Sequence, residues 1–289
     1  MDYIMNENRN FFCKLTGYTQ ALFTNSASSA FHTFILSNQY ILGDEIVFPV
    51  ECYPTLPMIA LQCGLKPVYV DVDDNFNISP EKLKQNITLR TKFVVVIHMA
   101  GIPADMSKIE KILEESNNNI ILIEDICQAI GSIMLGGIKK GRFTKAVILS
   151  FSNGKLFSID GGGLLLTDDS NCITRAKVIA NNGYHLEKRF VTFGYYYEMH
   201  IEQHRRLNTL IKDADNILNS ALLKIEIIYK SIIGIFKPIY SENKNILQHK
   251  IVTQVREVNL FEEKYDAFLK KYLDVAENHY PYGFLKRSS

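Results

Sequence analysis

Short apolar runs alternate with amphipathic or polar segments along the chain from Leu22 to about Thr167. The runs are rich in Val, Ile and Leu, which is typical of strands buried on both faces of a parallel sheet. They predict six strands: Glu45–Phe48, Pro67–Val70, Phe93–Ile97, Ile120–Ile123, Ala146–Leu149 and Gly163–Leu166. The segments between them predict four helices: Ser28–Ser37, Thr55–Cys63, Pro80–Asn86 and Ser107–Ser116. This alternation indicates a doubly wound α/β fold, whose ligands lie at the carboxyl ends of the strands.

The pattern changes after Gly194. Apolar residues in alternating steps of four and three predict one long helix from Leu207 to Ile232, and a second stripe predicts a helix from Leu247 to Tyr272. Their polar faces carry both signs of charge, so we expect both stripes to pack on the first domain or on a partner subunit. The sequence therefore divides into a large α/β domain at 1–199 and a smaller, largely helical region at 200–289.

Composition and charge exclude several function classes. The 289 residues are 47% hydrophobic and 22% charged, which is typical of a globular chain with a buried core. Lys plus Arg number 32 and Asp plus Glu 31, so no basic excess favours nucleic acid. Charges interrupt the most apolar late stretch, at 221–238, so we expect no membrane span. Five widely spaced cysteines and no secretory signal predict a cytoplasmic protein with free thiols and no metal site.

Four segments carry candidate chemistry after predicted strands or at helix starts. The small residues at 25–30 could hold a phosphate on exposed N–H groups, or merely cap a helix. Asp125, just after a strand, could meet a ligand or cap the next helix. Lys155 could act as a desolvated nucleophile or lie in solvent, and Tyr53 could stack on a planar ring or belong to the core. The glycines at 161–163 indicate close backbone approach or positive φ.

Taken together, these segments supply what a pyridoxal phosphate site needs. The acid would keep the pyridine nitrogen protonated, the lysine would form an imine, and the remaining segments would hold the phosphate and cover the ring. Each motif taken alone is weak, so their combination carries the prediction.

Six ordered motifs from about Ala21 to Met199 strengthen this interpretation. The sequence resembles the DegT/DnrJ/EryC1/StrS family of sugar aminotransferases, a branch of the fold-type I pyridoxal phosphate enzymes. The matching segments, with the family pattern, are Asn25–His32 (S/N-G-T-x-A-L-H), Gly43–Pro49 (G-D-E-V-I-x-P), Gly64–Asp73 (G-A-x-P-V-F-V-D-V-D), Ile97–Met106 (V-H-L-Y-G-x-P-A-D-M), Glu124–Gly131 (E-D-A-A-Q-A-H-G) and Ser150–Lys155 (S-F-x-x-x-K).

The resemblance implies roles for seven residues. Lys155 would form the internal aldimine, and Asp125 would pair with the pyridine nitrogen. The others would contact the ring or the phosphate: Gln128 on the side of the phenolic oxygen, Tyr53 stacked on the ring, and Ser28, Ser29 and Ser150 at the phosphate. The family transfers an amino group, commonly from glutamate, to a keto group of a nucleotide-linked sugar. It acts as a homodimer whose sites are shared between subunits.

Several departures from the family pattern leave alternatives open. Ala27 replaces a glycine, Tyr196 replaces the Asn that reaches the partner's phosphate, and Glu198 replaces an Arg. The C-terminal part is shorter and lacks the expected strands. These features allow a degenerate member that binds cofactor or a protein partner without turnover, or a different pyridoxal phosphate reaction. Lys155 itself argues against the dehydrating branch of the family, which has His there. We expect His32 and His98 to be packed residues.

Overall fold

A seven-stranded sheet forms the centre of the protein. The computed structural model describes residues 2–116, 118–185, 189–232, 237–239 and 252–254. The strands are β1 (Gln20–Thr24), β2 (Glu45–Pro49), β3 (Lys66–Val70), β4 (Thr91–Ile97), β5 (Ile121–Asp125), β6 (Thr144–Ser150) and β7 (Gly163–Thr167). Their order is β1-β7-β6-β5-β4-β2-β3, and β7 pairs antiparallel with both of its neighbours while the other pairs are parallel. The predicted mostly parallel α/β fold is confirmed.

Helices cover both faces of this sheet. They are α1 (Asp2–Thr16), α2 (Ala27–Leu36), α3 (Thr55–Gln62), α4 (Pro80–Asn86), α5 (Met106–Glu115), α6 (Ile130–Met134), α7 (Ser170–Ala180), α8 (Ile201–Lys212) and α9 (Ala214–Ile232). Helices α2, α3 and α7 pack against one face of the sheet. On the opposite face, α1 and α8 pack near β6 and β7, and α4 and α5 pack near β2 and β4. Alternate residues of each strand supply the two cores, as the pleat requires. The central strands β2, β4, β5, β6 and β7 are therefore mostly buried on both faces, as the continuous runs predicted, whereas β3 at the edge of the sheet has only Val70 buried.

The first two elements were not predicted from the sequence. Helix α1 is mostly polar, and its buried face rests on a few residues such as Phe12 and Asn8, which are both 0% exposed. Strand β1 has five residues and pairs with β7, and only Ala21 and Thr24 in it are fully buried. A single narrow apolar face and a short strand leave little periodic signal in the sequence.

The predicted helix at 207–232 is two helices. Helix α8 ends at Lys212, Asp213 forms its C-cap, and α9 begins at Ala214. The apolar spacing continues across the break because Ile211 and Ala214 bury against the same core. An apolar stripe reports which residues face the core, and it does not report a one-residue interruption of the backbone.

The second predicted helix, at 247–272, lies outside the described residues except at Val252–Gln254. These three residues form a strand, β9, which pairs antiparallel with β8 (Lys237–Ile239). The helix prediction is therefore wrong at β9. Its Val and Thr are β-branched and favour extended backbone, and an apolar spacing cannot outweigh pairing with a neighbouring strand. Within the described ranges, no helix combines the length and hydropathy needed to cross a membrane.

A buried histidine joins α1 to α8. His204 is 1% exposed, and Asn8 Nδ2 donates to its carbonyl oxygen at 2.9 Å and lies 3.4 Å from its Nδ1. The Phe23 ring meets the imidazole edge-on with centroids 4.9 Å apart. Burial in this apolar setting disfavours the charged imidazolium and lowers the pKa of His204 to about 4.

We predict that acid destabilises the protein partly through His204. Between pH 6.5, the usual histidine pKa, and about pH 4, His204 is protonated in the unfolded chain and neutral in the folded chain. The unfolding free energy therefore falls as pH falls through this window, by up to about 1.4 kcal/mol per pH unit. Urea unfolding of the wild type and of His204→Gln, which does not titrate, measures the effect. The variant should show the shallower slope, and equal slopes would contradict the prediction.

Candidate active site

The carboxyl ends of six strands, β1 to β6, lie at one edge of the sheet. These strands run in the same direction, so the segments that follow them lie side by side. These segments contain all seven predicted site residues: Ser28 and Ser29 after β1, Tyr53 after β2, Asp125 and Gln128 at the end of β5, and Ser150 and Lys155 at the end of β6. The fold therefore brings the candidate residues to the same edge.

The N-terminus of α2 is the anion-binding feature of this edge. Ser26 is its N-cap, and the Ser26 hydroxyl accepts from the N–H of Ser29 at 3.0 Å. The backbone N–H group and the hydroxyl of Ser28 have no hydrogen-bond partner among the described residues. The helix begins one residue before the predicted start because the cap is Ser26. The free N–H of Ser28 and the helix dipole favour an anion here.

The hydroxyl of Ser29 has a structural partner instead. It donates to Asn25 Oδ1 at 2.6 Å and lies 2.8 Å from Ser26 Oγ, and the residue is 8% exposed. Its side chain therefore fixes the first turn of α2, which leaves Ser28 as the serine whose hydroxyl is available. The sequence pattern indicates Ser28 and Ser29 together and does not single out Ser26. The serine three positions before Ser29 was the available signal for the cap.

Glycines allow the loop after β6 to contact the backbone at the N-terminus of α2. Gly161 and Gly162 have φ values of +131° and +99°, and the N–H of Gly162 donates to Asn25 O at 2.9 Å. A Cβ on Gly163 would lie 2.3 Å from backbone atoms of Ser26, so another residue there would force the two segments apart. The predicted need for positive φ and close approach is confirmed.

Lys155 lies in this loop. Its N–H donates to Ser152 O at 3.2 Å in a turn where Gly154 has a φ of +81°. The side chain is half-buried, and its ammonium has no hydrogen-bond or ion-pair partner within the described ranges. At the start of the loop, Ser150 is 8% exposed and its Oγ lies 2.9 Å from Ser152 Oγ. A short turn therefore presents an unpaired amine in the loop whose far end, at Gly162, contacts the segment that leads into α2.

Asp125 is the last residue of β5 and faces the same space. Its Oδ1 accepts the N–H of Cys127 at 2.8 Å. Burial raises the pKa of the Cys127 thiol, Asp125 raises it further, and the positive charge of Lys155 acts in the opposite direction. Both charges therefore act on the same thiol, that of Cys127. Burial, with the nearby Asp125 carboxylate and a smaller contribution from Glu51, raises the pKa of Cys52 to about 12.

Gln128 faces the turn that follows β4. Its Oε1 accepts the N–H of Ala100 at 3.2 Å, and its Nε2 lies 3.6 Å from Met99 Sδ, a weak acceptor. The side-chain NH₂ can therefore donate to a ligand oxygen.

Tyr53, on the loop after β2, is 65% exposed. The alternative that it belongs to the hydrophobic core is therefore wrong.

The departures from the family pattern lie beside the cap of α2. The N–H of Asn25 donates to Tyr197 O at 2.7 Å, and Asn25 Nδ2 reaches Tyr196 O at 3.4 Å. Thr24 and Glu198 form a backbone bridge, and the Glu198 side chain is exposed. A carboxylate thus lies next to the segment that leads into the proposed anion site.

The two histidines that we expected to be packed are packed. His32 is 6% exposed, its Nδ1 lies 3.0 Å from Tyr197 Oη, and burial lowers its pKa. His98 is 0% exposed and its Nε2 lies 2.8 Å from Glu124 Oε2. This second contact joins the ends of β4 and β5, and sequence analysis did not find it because the partners are 26 residues apart.

Chemically, the edge can hold three groups at once. The start of α2 can bind an anion, Asp125 can pair with a protonated nitrogen, and Lys155 can attack an electrophilic carbon. Together they fit a ligand that carries a phosphate, a basic ring nitrogen and a carbonyl group.

Comparisons with known proteins show which family and fold the chain has. A family model described as the DegT/DnrJ/EryC1/StrS aminotransferase family matches residues 6–208. A structure of ntda from Bacillus subtilis with bound cofactor PMP has a TM-score of 0.75 at 22% identity, covering 91% of this chain and 60% of that one. PseC of Helicobacter pylori, an aminotransferase involved in the biosynthesis of pseudoaminic acid, gives 0.76 at 20% identity, covering 90% and 72%.

A variant of GDP-4-keto-6-deoxymannose-3-dehydratase with bound GDP-perosamine gives a TM-score of 0.77 at 20% identity, covering 96% of this chain and 82% of that one. At identities of 20–22%, these matches show that the chain has the same fold as the three structures. The chain spans 60% of the length of the ntda structure.

Proposed function

We propose that this chain, which belongs to the DegT/DnrJ/EryC1/StrS aminotransferase family, is a pyridoxal phosphate-dependent sugar aminotransferase. Its amino donor would be an amino acid, glutamate foremost, and its acceptor a keto group on a nucleotide-linked sugar. The observation that carries the proposal is the convergence of Lys155, Asp125 and the start of α2 at one sheet edge. The compared structures include an enzyme with bound PMP and one with a bound nucleotide sugar, which supports the same class.

The residues present fit pyridoxal phosphate. The unpaired N–H group and hydroxyl of Ser28 suit its phosphate, and Gly163 approaches the backbone of the cap residue Ser26 closely. Asp125 offers a carboxylate oxygen beyond the one that accepts from Cys127. Lys155 has an ammonium without a protein partner among the described residues. The donor set therefore matches the phosphate, ring nitrogen and aldehyde of the cofactor.

Each residue has a distinct task in the proposed mechanism. Bound cofactor supplies the electron sink that makes a proton on the substrate carbon removable. Lys155 would hold the cofactor covalently through Nζ and later move that proton. Asp125 would keep the ring nitrogen protonated, and the Gln128 NH₂ would donate to the phenolic oxygen. Tyr53 would stack on the ring, and Ser28 and Ser150 would orient the phosphate.

An exposed aromatic surface supports a homodimer with shared sites. Phe190 is 61% exposed, Phe193 88% and Tyr196 66%, and they lie next to the segment that borders α2. A cluster of exposed aromatic side chains favours association with another surface. We propose that this aromatic surface packs against a second copy of the chain.

Two further proposals concern the whole protein. The boundary between the large domain and the smaller C-terminal region would fall near residue 199. The protein would act in the cytoplasm, where its free thiols stay reduced.

A coupled assay tests the proposed function. Purified protein with pyridoxal phosphate, L-glutamate and a nucleotide-linked 4-keto-6-deoxyhexose should yield 2-oxoglutarate and an amino sugar in equal amounts, measured by mass spectrometry. Formation of 2-oxoglutarate without the amino sugar would reject this acceptor. If no amino acid tested yields its 2-oxo acid, a family member that binds without turnover is favoured.

We predict that the Glu198 carboxylate weakens cofactor binding. The backbone of Glu198 forms a β-bridge with Thr24, two positions before the N-cap of α2. Its exposed side-chain charge therefore repels a phosphate bound at that N-terminus. Because the charge is solvent-screened, Glu198→Gln should tighten pyridoxal phosphate binding only about two- to fivefold at low salt, and less at high salt. Fluorescence titration measures the dissociation constant. Glu202→Gln, at an exposed residue on α8, serves as the control. Weaker binding in Glu198→Gln would contradict the prediction.

A further inference from the structure

A buried pair, His98 and Glu124, adjoins the candidate site. His98 Nε2 lies 2.8 Å from Glu124 Oε2, and Thr144 Oγ1 donates to the other carboxylate oxygen. The N–H of Ala104 donates to His98 Nδ1 at 3.1 Å. Since Nδ1 accepts, the proton of the neutral ring is on Nε2, which donates to Glu124. The pair is fully hydrogen-bonded, although His98 is 0% and Glu124 2% exposed.

The imidazole ties down an unusual turn after β4. Ala100 has a φ of +54°, which is uncommon for a residue with a Cβ, and Gly101 has a φ of +87°. Such a conformation persists only where the surroundings hold it. The backbone N–H of His98 donates to Asp125 O at 3.2 Å at the start of the turn, and its ring accepts from Ala104 at the end. His98 therefore closes the turn at both ends.

This turn determines which way the Gln128 amide points. The N–H of Ala100 donates to Gln128 Oε1 at 3.2 Å, so the NH₂ of the amide is left as the donor available to a ligand. Its described partner is the weak thioether acceptor Met99 Sδ at 3.6 Å. If Ala100 left its positive φ, its N–H would turn away and the amide would lose its fixed orientation.

We propose that His98 and Glu124 are positioning residues of the site: they hold the turn at 98–104, and through Ala100 they orient the Gln128 amide toward the phenolic oxygen of the cofactor. The orientation step rests on the proposed function, whereas the holding of the turn does not. The sequence separates these residues widely, and the sheet brings them together because β4 and β5 are neighbours. Neither side chain needs to touch the reacting atoms.

Two variants separate the contacts of the ring. His98→Gln can still donate to Glu124, but its amide cannot reach the position from which Nδ1 accepts the Ala104 N–H. Glu124→Gln is the matched conservative change, because its amide can accept from His98 and donate to Thr144 Oγ1. Amide hydrogen exchange of cofactor-free protein is the first measurement. His98→Gln should speed exchange in the 98–104 peptide by about tenfold, as the loss of one buried hydrogen bond implies, and Glu124→Gln should leave it near the wild-type rate.

A double-mutant cycle with Gln128→Ala tests the second step. His98→Gln alone should weaken pyridoxal phosphate binding by about tenfold, and should weaken it no further once Gln128 is alanine. Effects that multiply in the double variant would overturn the orientation of Gln128 by His98. Unchanged exchange at 98–104 in His98→Gln would overturn the holding of the turn. If the wild type binds no pyridoxal phosphate, the proposed function and the orientation step fail together, while the exchange data still decide whether the pair holds the turn.

Discussion

Replacing Lys155 with alanine is expected to slow transfer of the amino group from L-glutamate by more than about a thousandfold. The residue lies in the loop whose far end contacts the segment that leads into α2, and its half-buried ammonium has no partner within the described part of the chain. In the proposed mechanism the same nitrogen holds the cofactor and moves the proton, so its loss removes two functions. The rate of 2-oxoglutarate formation in a single turnover measures the effect.

Lys139→Ala is the matched control for that experiment. Lys139 is an exposed lysine on the segment that precedes β6, at the opposite end of the strand from Lys155. Its replacement should leave the single-turnover rate unchanged. A Lys155→Ala protein that retains a tenth of the wild-type rate would show that another group performs the chemistry.

Replacing Asp125 with asparagine should lower the rate by about a hundredfold or more. Asparagine can keep the hydrogen bond from the Cys127 N–H, because its amide oxygen occupies the place of Oδ1. It cannot supply the negative charge that would keep the ring nitrogen protonated. The loss should therefore fall on kcat more than on the affinity for cofactor, and steady-state kinetics with a separate binding titration would measure both.

Asp169→Asn makes the same chemical change outside the site. Asp169 caps α7 by accepting from Asn171 and Cys172, and it follows β7, whose carboxyl end lies at the opposite edge of the sheet. Asparagine is also a good N-cap, so activity and stability should stay near wild type. An equal loss of activity in both variants would contradict a specific role for Asp125.

Much of the site could be predicted because its parts are local in the sequence. A buried strand followed by Asp125, and another followed by a loop with Lys155 and glycines, place both side chains at a ligand-binding edge once the sheet is parallel. In the structure, β5 ends at Asp125 and Lys155 follows β6, at the same edge of the sheet. The chemical roles of these residues stay predictions, since the proposed experiments decide them.

Other features could not be predicted because they depend on contacts between distant segments. The pairing of His98 with Glu124 requires the neighbouring positions of β4 and β5, which a strand pattern does not give. The break at Asp213 lies within one continuous apolar stripe. Strand β9 depends on its pairing with β8, so a local apolar spacing predicted a helix there instead.

Reductive trapping tests the central claim most directly. Wild-type protein incubated with pyridoxal phosphate and treated with sodium borohydride should carry the reduced cofactor on one lysine, identified by peptide mass spectrometry. We expect the label on Lys155, and we expect prior addition of L-glutamate to remove it by converting the cofactor to its pyridoxamine form. A label on another lysine, or no label at all, would contradict the assignment of this edge as an aminotransferase site.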